Sequence, residues 1–245
     1  MNPDKVSNTH YVLWYKEERT ILIKHEVYDY HWPHFRPDEM PEWVYFSSIS
    51  DHALPYHDQV ADWLEDNPDV KLAFQPGTFQ IEAGTERLKK LYQHTELVVL
   101  NREEAVTVTG GSYDDVHGLL DKLHALGPKI AIVTDGPAGA YASDGNERLK
   151  MPLYPDPAPP FERTGAGDAF ASTFVAAIVK GHNLESALQW GTYQLHERRP
   201  ENRRAEGAAD RTRAGRLAQK GSRLVPRRQV LRSGSAGRKP KRARC

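Results

Sequence analysis

The residues best suited to chemistry lie together in Arg163-Thr164-Gly165-Ala166-Gly167-Asp168-Ala169-Phe170, a glycine-rich turn that opens directly into an apolar stretch. Two glycines let the backbone turn tightly and present consecutive N–H groups. At the start of a helix those donors add to a dipole of roughly half a positive charge, so an anion belongs there. Asp168 falls in the first helical turn. A carboxylate beside a bound phosphate can accept the proton of an attacking hydroxyl, a role worth about 10²–10⁴-fold in rate. Alone, a Gly-x-Gly-Asp turn reads more readily as an acidic helix start without chemistry, so its companions decide.

Two companions occur upstream. Asn101-Arg102-Glu103-Glu104 follows the apolar run 97–100, and Thr134-Asp135-Gly136-Pro137-Ala138-Gly139-Ala140 follows the apolar run 130–133. Each alone reads as an ordinary helix start or turn. Both sit at the ends of strands, and in open α/β sheets ligands gather at the carboxyl ends of strands. In this order the three motifs resemble the ribokinase/PfkB family of carbohydrate and nucleoside kinases. That family's hallmarks are N-x-x-E, T-x-G-x-x-G and D-T-x-G-A-G-D-x-F. Gly165 to Phe170 match the last six positions of the third pattern, and Glu162-Arg163 stand where it opens with Asp-Thr.

The resemblance spans roughly residues 6–191. It implies an α/β fold, a ribokinase-like three-layer Rossmann-type sandwich with a small β-hairpin lid. It implies transfer of the ATP γ-phosphate to a hydroxymethyl group of a sugar or nucleoside. Asp168 would be the base, and the amides of Gly165, Ala166 and Gly167 the anion hole. Asn101 and Glu104 would organise Mg²⁺ and the phosphates, Glu104 through water, because Mg²⁺ gives up its waters reluctantly. Thr134, Gly136 and Gly139 would line the nucleotide site, with Arg163 and Thr164 beside the phosphates. Family members begin with a strand and a Gly-Gly-Asn-type segment that reads the acceptor. Here the chain is expected to start at the lid, without that part.

The elements that must position these motifs follow from periodicity. Residues 11–15 and 20–23 flank a polar turn and predict a β-hairpin. A Pro- and aromatic-rich loop covers 28–41. Strands are predicted at 43–49, 70–74, 97–100 and 130–133, and helices at 56–65, 85–94, 113–126 and from Gly165 through Lys180. Segments 140–142 and 148–151 predict a second hairpin across Asp144-Gly145. Repeated βα units with short connections imply a mainly parallel sheet covered by helices on both faces. His25, Glu26, Asp29, His31 and His34 match no tight metal-ligand spacing, and an exposed lid or dimer-contact loop is the expected role of that stretch.

Composition divides the chain. The 245 residues carry a formal net charge of +0, yet residues 1–191 hold 16 basic and 29 acidic side chains, a net of −13. Residues 192–245 hold 17 and 4, a net of +13, with Tyr193 as their single aromatic. The division expected is a lid hairpin at 1–27, an α/β domain at 28–191 and a basic, disordered tail at 192–245. With free choice of third bases, a one-base shift turns 192–209 into a sequence with helical apolar spacing, so the tail is expected to be an out-of-frame translation. A noncatalytic kinase remnant, or nonspecific nucleic-acid binding through the tail, are the alternatives, and the second is disfavoured because the tail lacks interleaved aromatics for base stacking. A mean hydropathy of −0.67 and the lack of a long apolar run exclude a membrane span. The single Cys245 rules out an internal disulfide framework, and a cytoplasmic enzyme is expected. A homodimer through the lid is one arrangement open to it.

Overall fold

The computed structural model describes residues 5–15, 18–153, 165–197 and 229–230. The chain opens with the hairpin β1 (Thr9–Tyr15) and β2 (Glu18–Lys24), paired antiparallel and separate from the main sheet. Seven strands then form one sheet in chain order: β3 (Trp43–Phe46), β4 (Lys71–Phe74), β5 (Thr95–Asn101), β6 (Ile130–Thr134), β7 (Ala140–Ser143), β8 (Arg148–Met151) and β9 (Gln229–Val230). Strands β3 to β6 run parallel, whereas β7, β8 and β9 alternate in direction. The sheet is thus half parallel, where βα periodicity alone suggested a mainly parallel one. The second hairpin is present as expected.

The crossovers are helical. Helix α1 (Leu54–Asp66) links β3 to β4, and α2 (Thr78–Ala83) and α3 (Lys89–Gln93) link β4 to β5. Helices α4 (Arg102–Thr109) and α5 (Val116–Leu126) link β5 to β6. After β8 come α6 (Ala166–Val179) and α7 (Leu184–Glu197). Successive parallel strands with crossovers of one hand put all their helices on one face. The core follows suit. Val60 and Leu64, Leu91 and Tyr92, and Leu119 and Leu123 pack on one side of the sheet, and Phe170, Phe174 and Leu188 on the other.

Strand β5 shows how the two layers are joined. Val98 and Leu100 face the crossover helices, while Leu97 and Val99 face α6 and α7. All four are nearly inaccessible, so the strand reads as a continuous apolar run rather than an alternation. Its carboxyl end emerges between both layers.

Three differences from the sequence reading have physical causes. The helix expected at 85–94 is shorter, because Gly84, at φ 86°, ends α2 and residues 85–88 form turns before α3. Helix α4 fills a stretch to which no element was assigned. The boundary at residue 191 falls inside α7, which continues to Glu197. Of the tail beyond it, the described residues comprise only β9, paired to the edge of β8. Among the described residues no helix is long and apolar enough to cross a membrane.

Candidate active site

The parallel register places Asn101 beside Thr134, so the last residues of β5 and β6 stand side by side at one end of the sheet. The amino end of α6 arrives at the same place from the opposite layer. Together they form a cleft of about 260 Å³ lined by Asn101, Glu104, Thr134, Gly165, Gly167 and Asp168, with Gln75 from the exit of β4. A smaller cavity of about 90 Å³ adjoins it and shares Thr134 and Gly167. Gly136, Gly139 and Ala166 line this second space. The fold therefore gathers nine of the eleven sequence-predicted site residues. Arg163 and Thr164 lie outside the described residues.

Asn101-x-x-Glu104 closes the start of α4 on itself. The Asn101 Oδ1 accepts the Glu104 backbone N–H at 2.8 Å, and Glu104 Oε2 accepts the Asn101 backbone N–H at 2.8 Å. This reciprocal pair is a capping box. The ordinary helix start and the candidate site are one structure, because the cap fixes the carboxylate at the cleft with its second oxygen uncommitted to the box. Burial pushes the Glu104 carboxyl up, its bond from Asn101 pulls down, and the charges of Glu103 and Asp168 push up again. Such a carboxylate gains from a cation brought to it.

The start of α6 is built the other way. Gly165 takes the left-handed conformation at φ 69°, ψ 13°, and supplies no side-chain cap. Ala169 N–H is the first to bond back, to the Gly165 carbonyl at 2.9 Å. The N–H groups of Ala166, Gly167 and Asp168 precede the first intrahelical bond. A Cβ added at Gly167 would meet nothing within 4 Å, so this backbone borders open space. Gly139 is constrained instead by packing: at φ 99° its Cβ would collide with the Met151 carbonyl oxygen, so β8 passes directly beneath the loop.

Two further features escaped the sequence motifs. Arg102 and Asp135, the residues just after the Asn101–Thr134 pair, form an ion pair at 2.6 Å that is only 16% and 10% exposed. The Arg102 Nε also donates to the Tyr113 carbonyl at 2.7 Å, and its guanidinium lies 4.3 Å from the Tyr113 ring centroid. This pair ties the start of α4 to the loop after β6. Gln75 Nε2 donates to Asp168 Oδ1 at 3.0 Å. The hairpin β1–β2 reaches the body through His25, whose ring lies 5.5 Å from that of Phe79 at the start of α2. His31 pairs with Asp29 at 3.0 Å, and among the described residues no cluster of ligating side chains has metal-site geometry.

Residues 44–193, well over half of the chain, match the pfkB family carbohydrate kinase model. The chain belongs to the pfkB family of carbohydrate kinases. It is 33% identical to a cytidine kinase of Thermococcus kodakarensis over 110 residues, 45% of this chain and 39% of that one. It is 32% identical to an ATP-dependent 6-phosphofructokinase of Thermoanaerobacterium thermosaccharolyticum over 44% of this chain and 32% of the relative. The match thus spans well under half the length of either. The structure of Arabidopsis thaliana ribokinase complexed with ribose and ATP superimposes with a TM-score of 0.62 at 21% identity, covering 82% of this chain and 65% of the other. The ribokinase-like α/β fold follows from these likenesses.

Proposed function

We propose that this pfkB-family chain transfers the γ-phosphoryl group of ATP to a hydroxymethyl group of a sugar or nucleoside, in the cytoplasm. The observation that carries the proposal is the convergence on one cleft of an uncapped helix start, a carboxylate in its first turn and a second, half-buried carboxylate on the opposing helix. The acceptor hydroxyl gives its proton to Asp168 as its oxygen bonds to the γ-phosphorus. The bond from that phosphorus to the β,γ-bridging oxygen breaks, and ADP leaves with the electron pair. The N–H groups of Ala166, Gly167 and Asp168 face the charge that gathers on the phosphoryl oxygens, and Gly165 supplies the turn that aims them. Thr134, Gly136 and Gly139 border the nucleotide.

The donor set fits Mg²⁺. Glu104 offers a half-buried carboxylate held by the Asn101 box, raised by burial and by neighbouring negative charge, and a hard dication favours oxygen ligands of this kind. When bound, the ion would supply neutralisation of the charge on the polyphosphate. Glu104 would hold it through water, and Asn101 would orient Glu104.

A second copy of the chain is the proposed macromolecular partner, through the β1–β2 hairpin. Tyr11, Leu13, Leu22 and Ile23 are each about half or more exposed there. Removing such a surface from water favours self-association.

The test is ADP release with ribose, fructose, adenosine and cytidine as acceptors, on the wild type and on Asp168→Asn. Turnover with at least one acceptor, reduced about 10²–10⁴-fold in the variant, is expected. Undiminished turnover in Asp168→Asn would remove the base from the scheme. ATP binding without turnover on any acceptor would instead identify a noncatalytic remnant.

A further inference from the structure

We propose that Gln75, itself held by Tyr45, is the positioning residue for the Asp168 carboxylate: it takes one carboxylate oxygen and leaves the other to the acceptor hydroxyl. This rests on the phosphotransfer reading given above and adds to it a residue that none of the three motifs contains.

Gln75 follows the last residue of β4, and its backbone N–H donates to the Phe46 carbonyl at 2.9 Å. Its side chain spans the cleft from the β4 exit to the start of α6, joining residues 93 positions apart in the chain. The orientation of the amide is decided by chemistry. An ionised carboxylate can only accept, so the NH₂ end must face Asp168 and the oxygen end must face away. That oxygen meets the Tyr45 hydroxyl, which donates to it. Burial, reinforced by the negative charge of Asp168, pushes the Tyr45 phenol up to about 12. The phenol therefore keeps its proton wherever the protein is folded and working, and the relay Tyr45–Gln75–Asp168 has one direction.

The backbone beyond Gln75 is equally fixed. Gly77 passes so close to Ser48 that a Cβ would overlap its side chain. The Gly77 N–H donates to Gln80 Oε1 at 2.7 Å, and Gln80 Nε2 donates to the Ser47 carbonyl at 3.0 Å. The segment that carries the Gln75 amide is thus tied to the exit of β3, and the amide is aimed rather than free.

A neutral donor suits a base. A lysine or arginine at this place would also hold the carboxylate, but its full charge would make that carboxylate a weaker proton acceptor. Among the described residues lining the cleft there is no lysine or arginine, and it is the neutral Gln75 amide that donates to Asp168. It restricts the carboxylate's rotation, and fixed geometry at the reacting oxygen is what proximity catalysis requires.

The test combines kinetics with a readout that needs no turnover. Gln75→Leu is expected to lower kcat about 10-fold, the loss of one hydrogen bond to a charged group, while KM for ATP stays within about twofold. Tyr45→Phe, a change on a side chain 40% exposed, is expected to lower kcat about threefold and covers the case in which Gln75→Leu fails to fold. In the ¹⁵N-labelled protein the side-chain NH₂ resonances of Gln75, assigned by their loss in Gln75→Leu or Gln75→Asn, are expected to move in both Asp168→Asn and Tyr45→Phe. Wild-type kcat in Gln75→Leu, or NH₂ resonances unmoved by Asp168→Asn, would overturn the proposal. Absence of turnover in the wild type would defeat the phosphotransfer reading instead, and the resonances would then decide alone whether Gln75 holds Asp168.

Discussion

Helices α4 and α6 both begin at the same cleft, and they begin in opposite ways. The first turn of α4 spends its donors on its own side chains, Asn101 and Glu104, and what it offers outward is negative charge. The first turn of α6 has no side-chain cap, so what it offers outward is a set of N–H groups. A self-satisfied helix start suits a cation and an unsatisfied one suits an anion. Facing each other across 260 Å³, the two ends make the site proposed for a metal-complexed polyphosphate, without any basic side chain among the described lining residues. The contrast also separates their energetics: residues at the α4 start should matter to stability as well as to metal binding, and those at the α6 start chiefly to rate.

The sharpest way to break that contrast is Arg102→Ala. It strands Asp135 with about 10% exposure and no counter-charge, and a loss of about 3 kcal/mol in chemical denaturation is expected. Arg102→Ala/Asp135→Ala should recover part of it, and a double variant no better than the single one would show that the pair does not bind the two motifs together. Next comes Asn101→Ala, which removes one of the two side-chain acceptors of the capping box. A loss of about 1 kcal/mol is expected, against less than about 0.5 kcal/mol for Asp168→Asn on the uncapped helix. Equal losses at the two helix starts would erase the distinction.

The smallest effect belongs to Glu104→Gln, and its value lies in its sign. The folded-state pKa of Glu104 is raised, so the folded protein holds that proton more tightly than the unfolded chain does. Ionising it therefore costs stability, starting near the unfolded value of about 4.3 and complete once pH exceeds the raised folded value. Glutamine keeps an oxygen for the Asn101 N–H and removes the charge. Thermal melts should show the advantage of the Glu104→Gln variant absent at the acid end and opening as pH rises, to no more than about 2–4 °C at neutrality. A difference that instead closes with rising pH would contradict the burial argument.

Much of this arrangement is legible in the chain. Strands β4, β5 and β6 announce themselves as apolar runs long enough for a strand and too short for a helix, and the Asp144-Gly145 turn marks the hairpin of β7 and β8. The α6 start is visible because glycine and acid sit at a helix's first turn. Helix α4 is harder to see: its apolar positions, Ala105, Val106 and Val108, are few, and its best signal is the capping box, which as Asn-x-x-Glu is also one of the three motifs of the family resemblance. The Arg102–Asp135 pair becomes readable only once Asn101 is known to lie beside Thr134, because parallel strands put the residues after such a pair next to each other as well. Tyr45 and Gln75 carry no local signature at all. Their meaning is created by three chain segments meeting at the end of a sheet.

The reversal of the sheet at β7 sets how the loop between Thr134 and Ala140 can evolve. These two residues face each other as the first pair of an antiparallel ladder, so the loop is a hairpin turn and not a crossover. Along β7, Ala140 and Ala142 point to the α6 side and Tyr141 to the α5 side. One residue inserted into the loop and carried into the ladder would turn the strand over, driving the Tyr141 ring into the space kept for alanines against α6. Only insertions absorbed as a bulge at the tip escape this. Of the three motif segments, this one should be the least tolerant of length change, and its size is dictated by the packing of the strand that follows it.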